Sequence, residues 1–86
     1  MDEWLDRFAS ALGERVPERE EIGAMLQLSR GVAHGVERKL APLSAYIAGI
    51  HVGRRGAEGG SVAEALREIR EVARDLVPEG DQDPRA

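Results

Sequence analysis

Arg30, His34, Glu37 and Arg38 recur at i, i+4, i+7 and i+8, so on a continuous helix they share one polar strip. A histidine beside a carboxylate can shuttle a proton, and two arginines can hold an anionic group. The strip is therefore the constellation that would carry a ligand site or an enzymatic role, with His34, Glu37 and Arg38 at its centre. The competing reading is a solvated helix face, whose ion pairs contribute about a few tenths of a kcal/mol each. A second candidate is the glycine-rich segment from Gly53 to Ser61, where Arg54 and Arg55 precede a helix start with free N–H groups that attract phosphate. Arg54, Arg55 and Ser61 form a candidate anion-binding loop on that reading. The segment lacks the lysine and the length of a phosphate loop, and Glu58 repels an anion, so a surface linker accounts for it better. Ser10, Ser29, Ser44 and Ser61 sit in no nucleophile-elbow motif. His51 is the other histidine of the chain and falls on a different helix, with no HExxH spacing. No catalytic residue, metal or cofactor is assigned on this basis.

Composition bounds what such residues could belong to. Eighty-six residues allow one domain. A chain this short buries only about 60–65% of the surface its unfolded form exposes. A homodimer would relieve that shortage, since four apolar helix faces are hard to hide inside one small domain. The absence of cysteine excludes disulfides and thiolate chemistry. The net charge of −4, from 16 acids and 12 bases spread along the chain, gives no footprint for nucleic acid or an anionic membrane. No basic, apolar N-terminal run signals export, so the expected location is cytoplasmic.

The elements that must position these residues are all helical. Residues 2–12 carry the first pattern: Asp2 caps it, Gly13 ends it, and Trp4, Leu5, Phe8, Ala11 and Leu12 form one apolar face expected to dock on the core. Pro17 with Glu18, Glu20 and Glu21 starts a second helix running from about 18 to 40, with Ile22, Met25, Leu26, Ser29, Val32, Ala33, Val36 and Leu40 on its apolar stripe. Gly31 and Gly35 weaken it and point to close packing or a bend near His34.

Residues 40–53 are apolar on nearly every side and read as the buried core helix, restarting at Pro42. Ala41, Ala45, Gly49 and Gly53 recur every fourth residue and line a face that another helix can approach closely. This stretch is too short to cross a bilayer, which needs roughly 20 apolar residues. A glycine-rich loop follows over 53–60. Ser61 and Glu64 then match a capping box, and Val62, Ala65, Leu66, Ile69, Val72, Ala73 and Leu76 define the buried stripe of the last helix, which Pro78 terminates. The expected fold is an all-α, small antiparallel bundle of about four helices, with helices two and three separated by a break near Pro42. Residues 1–77 make the helical domain and 78–86 a polar tail expected to be disordered.

The stretch from Val32 to Gly49 resembles an uncharacterised family of small actinobacterial domains that occur alone or fused to molybdenum cofactor guanylyltransferases (molybdopterin-guanine dinucleotide biosynthesis protein A). The positions that carry the resemblance are Ala33, His34, Glu37, Arg38, Ala41, Pro42, Leu43 and Gly49, and the likeness extends from Met1 to about Val77. No strand precedes a glycine-rich phosphate loop, and the chain is too short for the guanylyltransferase fold itself. The resemblance implies an accessory role in molybdopterin guanine dinucleotide synthesis, with catalysis left to a partner enzyme. The favoured reading is a non-catalytic helical interaction module that pairs with itself or with such an enzyme, through Arg30, His34, Glu37 and Arg38. The alternative is a small-ligand-binding or enzymatic protein with its polar site at His34, Glu37 and Arg38. Side chains converging in a pocket would favour the second, and an apolar surface around the third helix the first.

Overall fold

A computed structural model describes residues 3–78. Asp2, expected as a helix cap, and the tail from 79 to 86 lie outside them. Among the described residues there are four α-helices, α1 (Glu3–Leu12), α2 (Arg19–Gly35), α3 (Ala41–Ala57) and α4 (Val62–Leu76), with a 3-10 turn, Arg38–Leu40, between α2 and α3. No strand occurs among them, and no helix is long and apolar enough to cross a membrane.

The helix ends follow from local chemistry. Gly13 adopts φ 74°. Its N–H bonds Ser10 O while the Glu14 N–H bonds Ala9 O, so the left-handed residue closes α1 in a Schellman turn. Gly59, at φ 92°, closes α3 in the same way, with the Gly60 N–H on Arg55 O at 2.8 Å. Because α3 continues to Ala57, the expected loop over 53–60 shrinks to the turn after it. Glycine at 53 and 56 costs helix propensity but does not stop a helix that has already run about three turns from Ala41. At α4 the capping box forms as expected, with the Glu64 N–H on Ser61 Oγ at 3.0 Å and the Ser61 N–H on the Glu64 carboxylate at 3.1 Å.

α2 does not run to residue 40. It ends at Gly35, where the Val36 and Glu37 N–H groups both bond Val32 O and Glu37 turns to an extended conformation. Gly31 and Gly35 mark this weakness, and Pro42 sits in the first turn of the helix that restarts at Ala41.

α2, α3 and α4 each pack on the other two, and the centre sets Leu66 among the small side chains of Ala24, Val52 and Ala65, flanked by Met25, Val62 and Ile69. On α3 the face turned inward is Ala41, Ala48 and Val52. The glycines of the small-residue row face outward: a Cβ at Gly49 or Gly53 would meet nothing within 4 Å. α3 is therefore not a helix buried on all sides, since Leu43, Tyr46, Ile47 and Ile50 are more than half exposed. On α4 the stripe is buried at Ala65 and Leu66, but Val72 and Leu76 lie open.

α1 departs furthest from expectation. It packs on none of the other helices, and Trp4, Phe8 and Leu12 are 60%, 50% and 61% exposed. Trp4 and Phe8 stack on each other with ring centroids 5.1 Å apart. Periodicity correctly puts these residues on one face, but that face does not dock on the core of its own chain.

The segment joining α1 to α2 is held by a charge pair. Arg15 donates from both terminal nitrogens to the two oxygens of Glu21, each at 2.7 Å, and the Glu18 N–H donates to the same carboxylate at 2.7 Å. Glu21 is only 6% exposed, which is sustainable because every bond made to it favours the charged form. The Arg15 hydrogen bonds hold its carboxyl below the usual carboxylate range, against the opposing pull of burial. A depressed folded value stabilises the domain at pH above the ordinary glutamate range of about 4.3, and that contribution is lost as pH falls through the folded value. Urea midpoints should therefore fall from about pH 6 to about pH 3, and Glu21→Gln should flatten that acid limb. Arg15→Ala should cost about 1–2 kcal/mol at neutral pH, because it leaves a buried carboxylate short of donors. An acid limb unchanged by Glu21→Gln would assign the pH dependence to other carboxylates.

Candidate functional site

An apolar groove of about 540 Å³ opens between the three packed helices. Leu28 and Val32 of α2, with Val36 just past its end, form one wall and Ile47 and Ala48 of α3 another. Ile69, Val72, Ala73 and Leu76 of α4 form the third. The buried positions of the packed helices are mostly alanine and valine, and the groove is lined from the C-terminal halves of α2 and α4. His51 and Glu68 stand at its polar end.

Those two residues belong to a ladder between α3 and α4. His51 Nε2 and Glu68 Oε1 are 2.6 Å apart, and Arg55 Nε donates to the same oxygen at 3.2 Å. Arg54 contacts His51 Nδ1 at 3.2 Å. One tautomer satisfies both ring contacts, with Nε2–H donating to Glu68 and Nδ1 accepting from Arg54. The hydrogen bond from His51, with help from Arg55, holds the Glu68 carboxyl below its usual range. Arg55 also lies 3.8 Å from Glu58 and 3.7 Å from Glu64.

This constellation is polar but lacks the parts of a hydrolytic site. Ser44, which also lines the groove, donates its hydroxyl to Ala41 O at 2.8 Å. It lies seven residues before His51 on the same helix, about 10 Å along the axis, too far for the histidine to act as its base. Among the described residues no three His, Cys, Asp or Glu side chains are grouped to hold a metal ion.

The residues singled out from sequence are distributed differently. Arg30 and His34 lie on α2, Glu37 in the extended break and Arg38 in the 3-10 turn, so the helix end at Gly35 divides the strip. His34, Glu37 and Arg38 are exposed, and none of them lines the groove. Glu37 pairs with Lys39 at 3.4 Å. Arg30 and Arg38 form no ion pair among the described residues. At the α3–α4 turn, Arg54 pairs with Glu58 at 3.2 Å and Arg55 sits among three carboxylates. The Ser61 hydroxyl accepts the Glu64 N–H. The cations of the candidate anion loop are thus turned to internal carboxylates. Sequence reading missed the pair of His51 with Glu68, 17 residues away. The signal was present as two matched ladders, His51 and Arg55 on one helix against Glu64 and Glu68 on the next, each at i, i+4.

The domain is all-α, with an open apolar groove and an exposed apolar stripe on α3. The chain belongs to the family described as Domain of unknown function (DUF6457), whose model matches residues 1–83. No curated protein and no solved structure matches it.

Proposed function

We propose that this domain is a non-catalytic helical interaction module. The observation that supports the reading is the balance of apolar surface. Among the described residues, eight apolar side chains are buried, five of them alanine, while twelve large ones are at least 40% exposed. Apolar surface that gathers into patches on a small domain marks sites where a partner binds. Leu43, Tyr46 and Ile50 lie at i, i+3 and i+7 on the outer face of α3, the geometry of a helix read by a complementary patch. Arg38 lies just before α3, and Arg30 and His34 lie on α2. The unpaired arginines suit a partner whose apolar patch is rimmed by carboxylates.

The partner we propose is a molybdenum cofactor guanylyltransferase, and the support for its identity is the resemblance carried by Ala33, His34, Glu37, Arg38, Pro42 and Gly49. The domain would then be an accessory to molybdopterin guanine dinucleotide synthesis, and the enzyme would supply the chemistry. A binding titration against the guanylyltransferase of the same organism tests this. Wild type should bind at tens of micromolar or tighter. Arg38→Glu should slow association several-fold while changing dissociation less, because rim charges act mainly on encounter. No binding by wild type would reject the partner, and equal association rates would reject the role of Arg38.

A further inference from the structure

α1 is buried at Ala9, but its large apolar side chains lie open. It has ten residues, and isolated helices below about 12–15 residues are marginal in water unless an apolar face is packed. That face carries Trp4, Phe8 and Leu12, all at least half exposed, and it packs on none of α2, α3 and α4. The groove presents the complementary situation, an apolar channel whose Val36, Ile47, Val72 and Leu76 are all more than half exposed.

We propose that α1 of one copy lies in the groove of a second copy, and reciprocally, so that the domain is a two-fold dimer. Lengths agree: Trp4 to Leu12 spans about 12 Å of helix, α2 from Leu28 to its end at Gly35 about 10 Å, and α4 from Glu68 to its end at Leu76 about 12 Å. Charge agrees as well. The first turn of α1 carries Glu3 and Asp6, and the hollow adjoining the groove, which shares Leu28, Ile69, Ala73 and Val77 with it, is edged by Arg70 and Arg74. The area is sufficient. Seven large apolar side chains of α1 and the groove walls, at roughly 100 Å² of open surface each, approach the ~800 Å² per partner of a stable interface.

The connection explains why the exchange runs between chains. Residues 13–18 are turned by Gly13 and clamped by the Arg15–Glu21 pair. They join α2 at its N-terminal end, whereas the groove opens along its C-terminal half from Leu28 onward. This inference uses the groove and not the outer stripe of α3, so it stands or falls separately from the guanylyltransferase reading.

The chain has no cysteine and a single tryptophan, which makes the test direct. Sedimentation at micromolar concentration should give twice the 9.4 kDa chain mass. Phe8→Glu and Val72→Glu should each halve it. Both positions are at least half exposed, so circular dichroism should show α2, α3 and α4 retained. Phe8→Cys and Val72→Cys chains, mixed and oxidised, should yield a disulfide between the two different chains in preference to either self-pair. Trp4 emission should shift to the blue as the dimer forms. A monomer throughout, a dimer that survives both glutamate substitutions, or a Phe8→Cys/Val72→Cys double variant that links only within one chain would overturn the proposal.

Discussion

Leu66→Ala is expected to remove about 3 kcal/mol of stability, a large share of what a domain of this length has. Leu66 is 2% exposed and is the one large side chain that is fully buried among the described residues. Truncating a buried leucine costs about 2–5 kcal/mol, at the high end where neighbours cannot collapse into the space. The buried residues clustered with it are Ala24, Ala65 and Val52, whose short side chains have little reach with which to fill a hole. A domain of this size has about 4–13 kcal/mol in total. Urea titration followed by circular dichroism checks the loss, with Leu26→Ala as control. Leu26 is 61% exposed and lines no part of the groove, so its replacement should stay within about 0.5 kcal/mol. Equal effects of the two would show that the centre lies elsewhere.

Ala65→Leu should be comparably damaging, and Gly49→Leu should not. Ala65 is 0% exposed at the meeting of the packed helices, so three extra carbons must push the helices apart, at about 1–3 kcal/mol or more. At Gly49 nothing lies within 4 Å of an added Cβ. Leucine there removes the glycine penalty inside a helix, a gain approaching about 1 kcal/mol. Thermal melts of the two variants should move in opposite directions. A large loss at Gly49 would place a close helix contact on the outer face of α3, on a partner or a second copy.

That contrast shows what could be read from the sequence. Helix existence and several ends were legible because their causes are local: Pro42 starts a helix, Ser61 and Glu64 cap one, and Gly13 closes one by its own conformation, whereas the ends at Gly35 and Ala57 were not. Which face turns inward was legible only where apolar and charged residues segregate, as on α4 around Ala65 and Leu66. On α3 apolar residues surround the axis, so periodicity could not choose between the row at Gly49 and Gly53 and the row at Ala48 and Val52. Packing chose the latter, because the alanines and valines of neighbouring helices fit there. For α1 the pattern named the right face, but no periodicity says whose groove a face will fill. The strip of Arg30, His34, Glu37 and Arg38 rested on a helix continuing past Gly35, and two glycines one turn apart were the warning. The His51–Glu68 pair joins separate helices, and it shows only when the spacing of His51 and Arg55 is matched with that of Glu64 and Glu68 on the next helix.

The alanine-rich interior also sets how the domain responds to heat. Unfolding a centre made largely of methyl groups uncovers little apolar surface, and newly hydrated apolar surface is what raises the heat capacity of the unfolded chain. The curve of free energy against temperature is accordingly shallow for its length, without a steep arm on either side. Warming melts such a domain over a broad span, and refrigeration takes little from it.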